Sequence, residues 1–150
     1  MKKIVVLLAV LIFAACNSND DPTNPVNPNA NIVTDLPQGM WKISYYFDNN
    51  TNQTNTFSSF IFDFNSNGTV NVSNDIFSDI GTWQYEDASN DASDDDNIDN
   101  DEELVLLFSD STFFGELSDD WHITSASANK VELFDESGDG SMQFLTFSKQ

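Results

Sequence analysis

The sequence predicts an all-β domain, an antiparallel up-and-down meander of about eight strands that closes into a small barrel. Three observations predict it. Short segments carry apolar residues at every second position, clusters of Asn, Asp, Gly and Ser separate them, and no segment keeps a helical period over the length a stable helix needs.

In the first segment Trp41, Ile43, Tyr45 and Phe47 alternate with Lys42, Ser44 and Tyr46, which places one apolar row on one face of a strand. Phe60, Phe62 and Phe64 repeat the arrangement. Asn65-Ser66-Asn67-Gly68 then supplies a hairpin turn, with Asn-Gly suited to positive φ, and Val70 and Val72 return on the next strand. Further strands are expected over residues 80–85, 104–108, 121–125, 131–134 and 142–147. Residues 58–62 and 112–117 could each hold a short helical turn. The candidate barrel-lining residues are therefore Trp41, Ile43, Tyr45, Phe60, Phe62, Phe64, Trp83 and Trp121.

The 150 residues suffice for one domain, and 39% hydrophobic residues with 13 Phe supply apolar area for one core. Against 25 acidic residues stand 5 basic ones, all Lys, for a formal charge of −20. Nucleic-acid binding draws its affinity from cations that neutralise phosphates, so this surface repels such partners, and anionic lipid likewise.

The N-terminus has a different character. Met1-Lys2-Lys3 is a short positive segment, residues 4–13 form an apolar run too short to span a bilayer, and Ala14-Ala15 lead directly to Cys16, the sole cysteine. This resembles the lipobox of bacterial lipoproteins, departing from it at Phe13, where the family usually has an aliphatic residue. The resemblance implies removal of residues 1–15 and acylation of Cys16, making the lipid bilayer a partner; several acyl chains at about 0.8 kcal/mol per buried methylene would hold stably. Asn17-Ser18-Asn19-Asp20-Asp21 looks like the surface-export signal of Bacteroidota lipoproteins, which implies an outer-membrane protein facing the medium. Residues 16–36, with Pro22, Pro25 and Pro28, read as a flexible tether whose coil-like reach is roughly 25 Å, and residues 37–150 as the barrel domain.

Gly39-Met40-Trp41 opens the first strand, Gly81-Thr82-Trp83 repeats the spacing, and Phe144-Leu145-Thr146-Phe147-Ser148-Lys149 closes the chain. Together with the meander, these resemble a lipocalin-like domain over residues 37–149. Lipocalins set an Arg over the first Trp. This chain has no Arg, and Lys149 is expected in its place.

Motifs for chemistry are sparse. His122 follows Asp119, Asp120 and Trp121, but neighbours on a strand face opposite ways, so Trp121 inward leaves His122 outward as a surface histidine. With no zinc-protease, nucleophile-elbow or phosphate-loop motif, neither an enzyme nor a cofactor is expected. Within the acidic run 87–103, Asp95, Asn97, Asp99 and Asp101 have the spacing of calcium ligands, yet Asn100 stands where an EF-hand loop needs Gly and Leu106 where it needs Glu. A solvated loop is the simpler reading, with weak calcium binding as the other. Asp135, Gly138, Asp139 and Gly140 read as a hairpin turn, and Asp110-Ser111-Thr112 matches a short O-glycosylation pattern of secreted Bacteroidota proteins.

Two functions follow. The barrel takes up a small apolar or amphipathic ligand at the cell surface, or its interior is filled and it serves as a structural or interaction lipoprotein that meets an envelope protein or polysaccharide.

Overall fold

A computed structural model describes residues 31–87, 102–109, 113–138 and 140–150. Cys16, the calcium candidates Asp95, Asn97, Asp99 and Asp101, the Asp110-Ser111-Thr112 motif and Asp139 lie outside the described residues.

The strands are β1 (Met40–Asp48), β2 (Thr51–Asn52), β3 (Ile61–Phe64), β4 (Thr69–Ser73), β5 (Ser78–Glu86), β6 (Glu103–Leu107), β7 (Asp119–Ser127), β8 (Lys130–Glu136) and β9 (Met142–Lys149). Each pairs antiparallel with its neighbour in a single sheet. β9 returns to β1 in register from Trp41↔Lys149 to Phe47↔Phe144, so the eight long strands form a closed antiparallel barrel with no free edge along that seam. β2 is a two-residue addition beside the end of β1.

The turns follow from their residues. Asn49 and Asn50, at φ 49° and 58°, supply the two left-handed positions that the tight β1–β2 connection requires. The β3–β4 hairpin uses only one. Gly68 lies at φ 84°, its N–H donates to the Asn65 carbonyl at 3.0 Å, and Asn65 N–H donates to the Thr69 carbonyl at 2.8 Å. That is a longer turn with glycine at its left-handed position, not the two-residue turn that Asn67-Gly68 suggests.

Among the described residues helix is confined to short pieces: α1 (Ile32–Asp35), a 3-10 turn at Leu36–Gln38, α2 (Thr54–Phe57) and a second 3-10 turn at Phe113–Leu117. The last coincides with one expected helical turn. The other is displaced, because residues 58–60 connect α2 to β3 and Ile61 and Phe62 already belong to the strand. The folded domain also reaches further back than residue 37. Ile32 and Leu36 are fully buried in the core, so α1 and the turn after it belong to the folded domain.

One face of β1 departs from strict alternation. Its register against β9 shifts between Ile43 and Tyr45, a β-bulge at Ser44 that reverses the faces beyond it. Trp41, Ile43 and Tyr46 are therefore buried, while Tyr45 is 39% exposed. The expectation that Tyr45 lines the barrel is corrected: Tyr46 holds that place, and Tyr45 and Phe47 turn outward.

Candidate functional site

The barrel has two ends. At the proximal end, where β1 begins, α1 and the following turn lie against the opening. Trp41 is fully buried there, and its indole N–H donates to the Leu36 carbonyl at 2.9 Å. Lys149, the last residue of β9, holds its ammonium 5.6 Å from the Trp41 ring centroid, so the expected cation does sit over this ring. Gly39 permits the approach, since a Cβ there would stand 2.2 Å from Lys149 Cε.

Between the two ends, buried rings meet in series. Phe64 meets Trp83 at a centroid distance of 5.9 Å and Phe147 at 5.4 Å; Phe147 meets Phe62 at 5.2 Å, and Phe62 meets Phe114 at 6.2 Å. These contacts are close to perpendicular, the edge-to-face arrangement that aromatic quadrupoles favour. Leu104, Leu106, Val70, Val72, Val131, Leu133 and Leu145 are buried in the same core. Two indoles find acceptors within this apolar interior: Trp83 Nε1 donates to the Asn65 carbonyl at 2.9 Å and Trp121 Nε1 to the Leu117 carbonyl at 3.0 Å. Of the expected lining residues, Trp41, Ile43, Phe60, Phe62, Phe64, Trp83 and Trp121 are buried and share one core.

The distal end is closed by rings drawn from separate stretches of the chain. Phe114 lies at the centre, with Phe60 at 5.0 Å, Phe108 at 5.7 Å, Phe77 at 5.9 Å, Phe57 at 6.0 Å and Phe113 at 4.2 Å. Beside this lid, Tyr46 reaches from β1 and its hydroxyl donates to the Glu116 carbonyl at 2.9 Å. Burial, followed by the charges of Asp48, Glu116 and Asp119, raises the pKa of Tyr46, which keeps it a hydrogen-bond donor. Asp119 and Asp135 pair with the inward positions Leu106 and Gln143 and sit partly buried near this rim. Their pKa values are raised, in both cases first by burial; for Asp119 the charge of Asp135 adds to the effect, while His122 opposes it in both.

His122 faces outward from the barrel, as strand alternation requires, yet it is 2% exposed rather than a surface histidine. The reason lies in its cross-strand neighbours. The Phe134 ring lies 4.9 Å from the imidazole, and Glu103 Oε1 is 3.5 Å from Nδ1. Alternation gives direction, but not what covers the outer face.

That outer face carries a row of rings across four adjacent strands. His122 of β7 pairs with Phe134 of β8, Phe134 with Phe144 of β9, and Phe144 with Phe47 of β1. Tyr45 extends the row, its ring nearly parallel to Phe47 (7°) at 6.4 Å, and Phe47 lies 6.3 Å from Phe144. Sequence reasoning missed this row because the bulge at Ser44 and the two-faced use of aromatics leave no mark in a period-two pattern.

Among the described residues no group of three or more His, Cys, Asp or Glu side chains is arranged to hold a metal ion. No helix among them is long and apolar enough to cross a membrane. Comparison with known proteins finds no matching family model, no matching curated protein and no matching solved structure.

Proposed function

We propose that this chain is a lipid-anchored envelope protein of the lipocalin-like type whose barrel is a filled scaffold that works through its outer surface. The observation that carries this reading is the unbroken series of ring contacts along the axis, from Trp83 through Phe64, Phe147 and Phe62 to the lid at Phe114. Small barrels hold a ligand only where side chains leave room. Here a ligand would have to displace buried phenyl rings, each worth about 3 kcal/mol or more of stability. The membrane attachment rests on the N-terminal sequence, where Lys2, Lys3, the apolar run and Ala14-Ala15 lead to Cys16. Attachment and outward display at the outer membrane fit a domain carrying a charge of −20, which stays solvated and does not adhere to anionic lipid.

Two measurements test the two halves. In cells given a clickable palmitate, the full chain takes up label, and Cys16→Ser removes it; label retained by Cys16→Ser overturns the anchor. In the second, the full chain in detergent is titrated with Nile red against micelles alone. A filled lumen gives no saturable one-to-one enhancement, whereas saturable uptake reduced by Phe64→Trp would restore the ligand-carrier reading.

A further inference from the structure

We infer that the outward aromatic row on β1, β9 and β8 is a docking surface for a Lys- or Arg-rich extended segment of another protein; this rests on the reading of the barrel as an outward-acting scaffold. Tyr45 and Phe144, at 39% and 37% exposed, are its most accessible rings, and Phe47 and Phe134 continue it at half-buried positions. A ring face carries negative electrostatic potential that attracts ammonium and guanidinium groups.

Carboxylates flank the row. Glu136 stands two positions after Phe134 on its strand, Asp120 stands two before His122, and Glu103 lies against His122 itself, while Glu132, two before Phe134, is already paired with Lys130. Ion pairing with these carboxylates and stacking on the rings call for the same ligand group, a cation with a flat or alkyl body.

The chain has few cations of its own to offer. It contains no Arg, and the three Lys beyond the N-terminal pair are engaged or lie away from the exposed rings. Lys130 bonds Glu132, Lys149 covers Trp41 at the proximal end, and Lys42 borders a groove with Ile61 and Asp75. Complementarity must come from another molecule, and a net charge of −20 would steer a basic one toward it. The docking rings lie on three adjacent strands, roughly 10 Å across at about 4.8 Å per strand spacing, which an extended segment of about three to four residues would cover.

The test uses the full chain in detergent and a fluorescent peptide alternating Arg and Ser, read by anisotropy at low salt, with a citrulline-for-Arg peptide as the uncharged probe. The Arg peptide should bind and the citrulline peptide should not. Tyr45→Ala and Phe144→Ala should each weaken binding about five-fold, because each removes one ring–cation contact. Asp63→Asn and Asp75→Asn, which remove carboxylates from the β3–β4 side, should leave the affinity within two-fold. Unchanged melting temperatures of the ring variants establish that folding is intact. Equal losses from the ring and the distant carboxylate variants would mean diffuse attraction and overturn the proposal, as would full affinity in the ring variants. Binding of neutral cellohexaose that requires Tyr45 and Phe144, without binding of the Arg peptide, would overturn it in favour of a glycan. Nile red uptake bears only on the lumen, so failure of the scaffold reading and failure of this docking surface are distinguishable.

Discussion

The two ends of the barrel are closed by different means. The proximal end uses one large side chain held by named polar contacts: Trp41, its bond to the Leu36 carbonyl, and Lys149 above its ring. The distal end uses six phenyl rings, Phe57, Phe60, Phe77, Phe108, Phe113 and Phe114, that come from three stretches of chain between strands and touch mainly each other. A closure built from one residue and its neighbours is local and tolerant at its edges. A closure built from many rings fails cooperatively, since removing the central one takes a contact from every other ring.

The largest effect is therefore expected at Phe114, which is fully buried and lies within 6.2 Å of Phe57, Phe60, Phe62, Phe77, Phe108 and Phe113. Phe114→Ala should cost about 3 to 5 kcal/mol, from lost burial and a cavity that the surrounding rings cannot wholly fill. Urea unfolding measures it. A loss below about 1 kcal/mol would mean that the lid rearranges freely and that the contrast between the ends is false.

Gly81 offers a second test at the same end. A Cβ there would stand 2.6 Å from the Leu107 carbonyl oxygen and 2.6 Å from the Phe108 ring, so backbone and lid would both have to move. Gly81→Ala should cost about 1 to 3 kcal/mol. Gly39→Ala at the proximal end meets only the far end of a flexible lysine, so its cost should not exceed that of losing the Lys149 contact. Equal losses from the two glycine variants, measured by denaturant midpoint at constant slope, would contradict this.

The two ends also differ in how far they could be read from sequence. Trp41 and Lys149 lie on regular strands, and the expectation of a cation over Trp41 came from the resemblance to lipocalins, with Lys149 standing where they set an Arg. The strands themselves were legible for the same reason: a two-residue period is local, and Phe62, Phe64, Val70 and Val72 keep it. The lid was not, because Phe57, Phe77, Phe108 and Phe113 lie in loops and short turns where no period applies and proximity arises only once eight strands have closed. Tyr45 was misassigned because a single inserted residue at Ser44 reverses a face, and insertion is invisible to a pattern that presumes none. His122 was assigned the correct side of the strand, but its burial depends on Phe134 and Glu103, which are supplied by two other strands.

A smaller effect separates the proximal contact from the polar rim. Lys149→Ala should cost about 0.5 to 1 kcal/mol and alter Trp fluorescence, because the ammonium stands 5.6 Å from the Trp41 ring in a partly exposed position. If stability and emission are both unchanged, Trp41 is held by burial and its Leu36 bond alone.

The smallest effect concerns pH, and it acts at the distal rim. Asp119 and Asp135 have folded-state pKa values raised above the ordinary 3.8, chiefly by burial, so their charged forms oppose folding. The contribution of such groups is most favourable below the unfolded value and is lost as pH rises through the folded one. Stability attributable to them should thus increase on acidification from neutral pH toward the carboxylate range. Asp119→Asn should stabilise the domain slightly at pH 7 and flatten the pH dependence of its urea midpoint between pH 7 and pH 4. The Asp135 carboxylate loses a like-charged neighbour in that variant, so the flattening should exceed that expected from one group acting alone. A midpoint lowered at pH 7 by Asp119→Asn would show that the carboxylate supports the distal closure instead of straining it, so that the ring lid is not the sole support of that end.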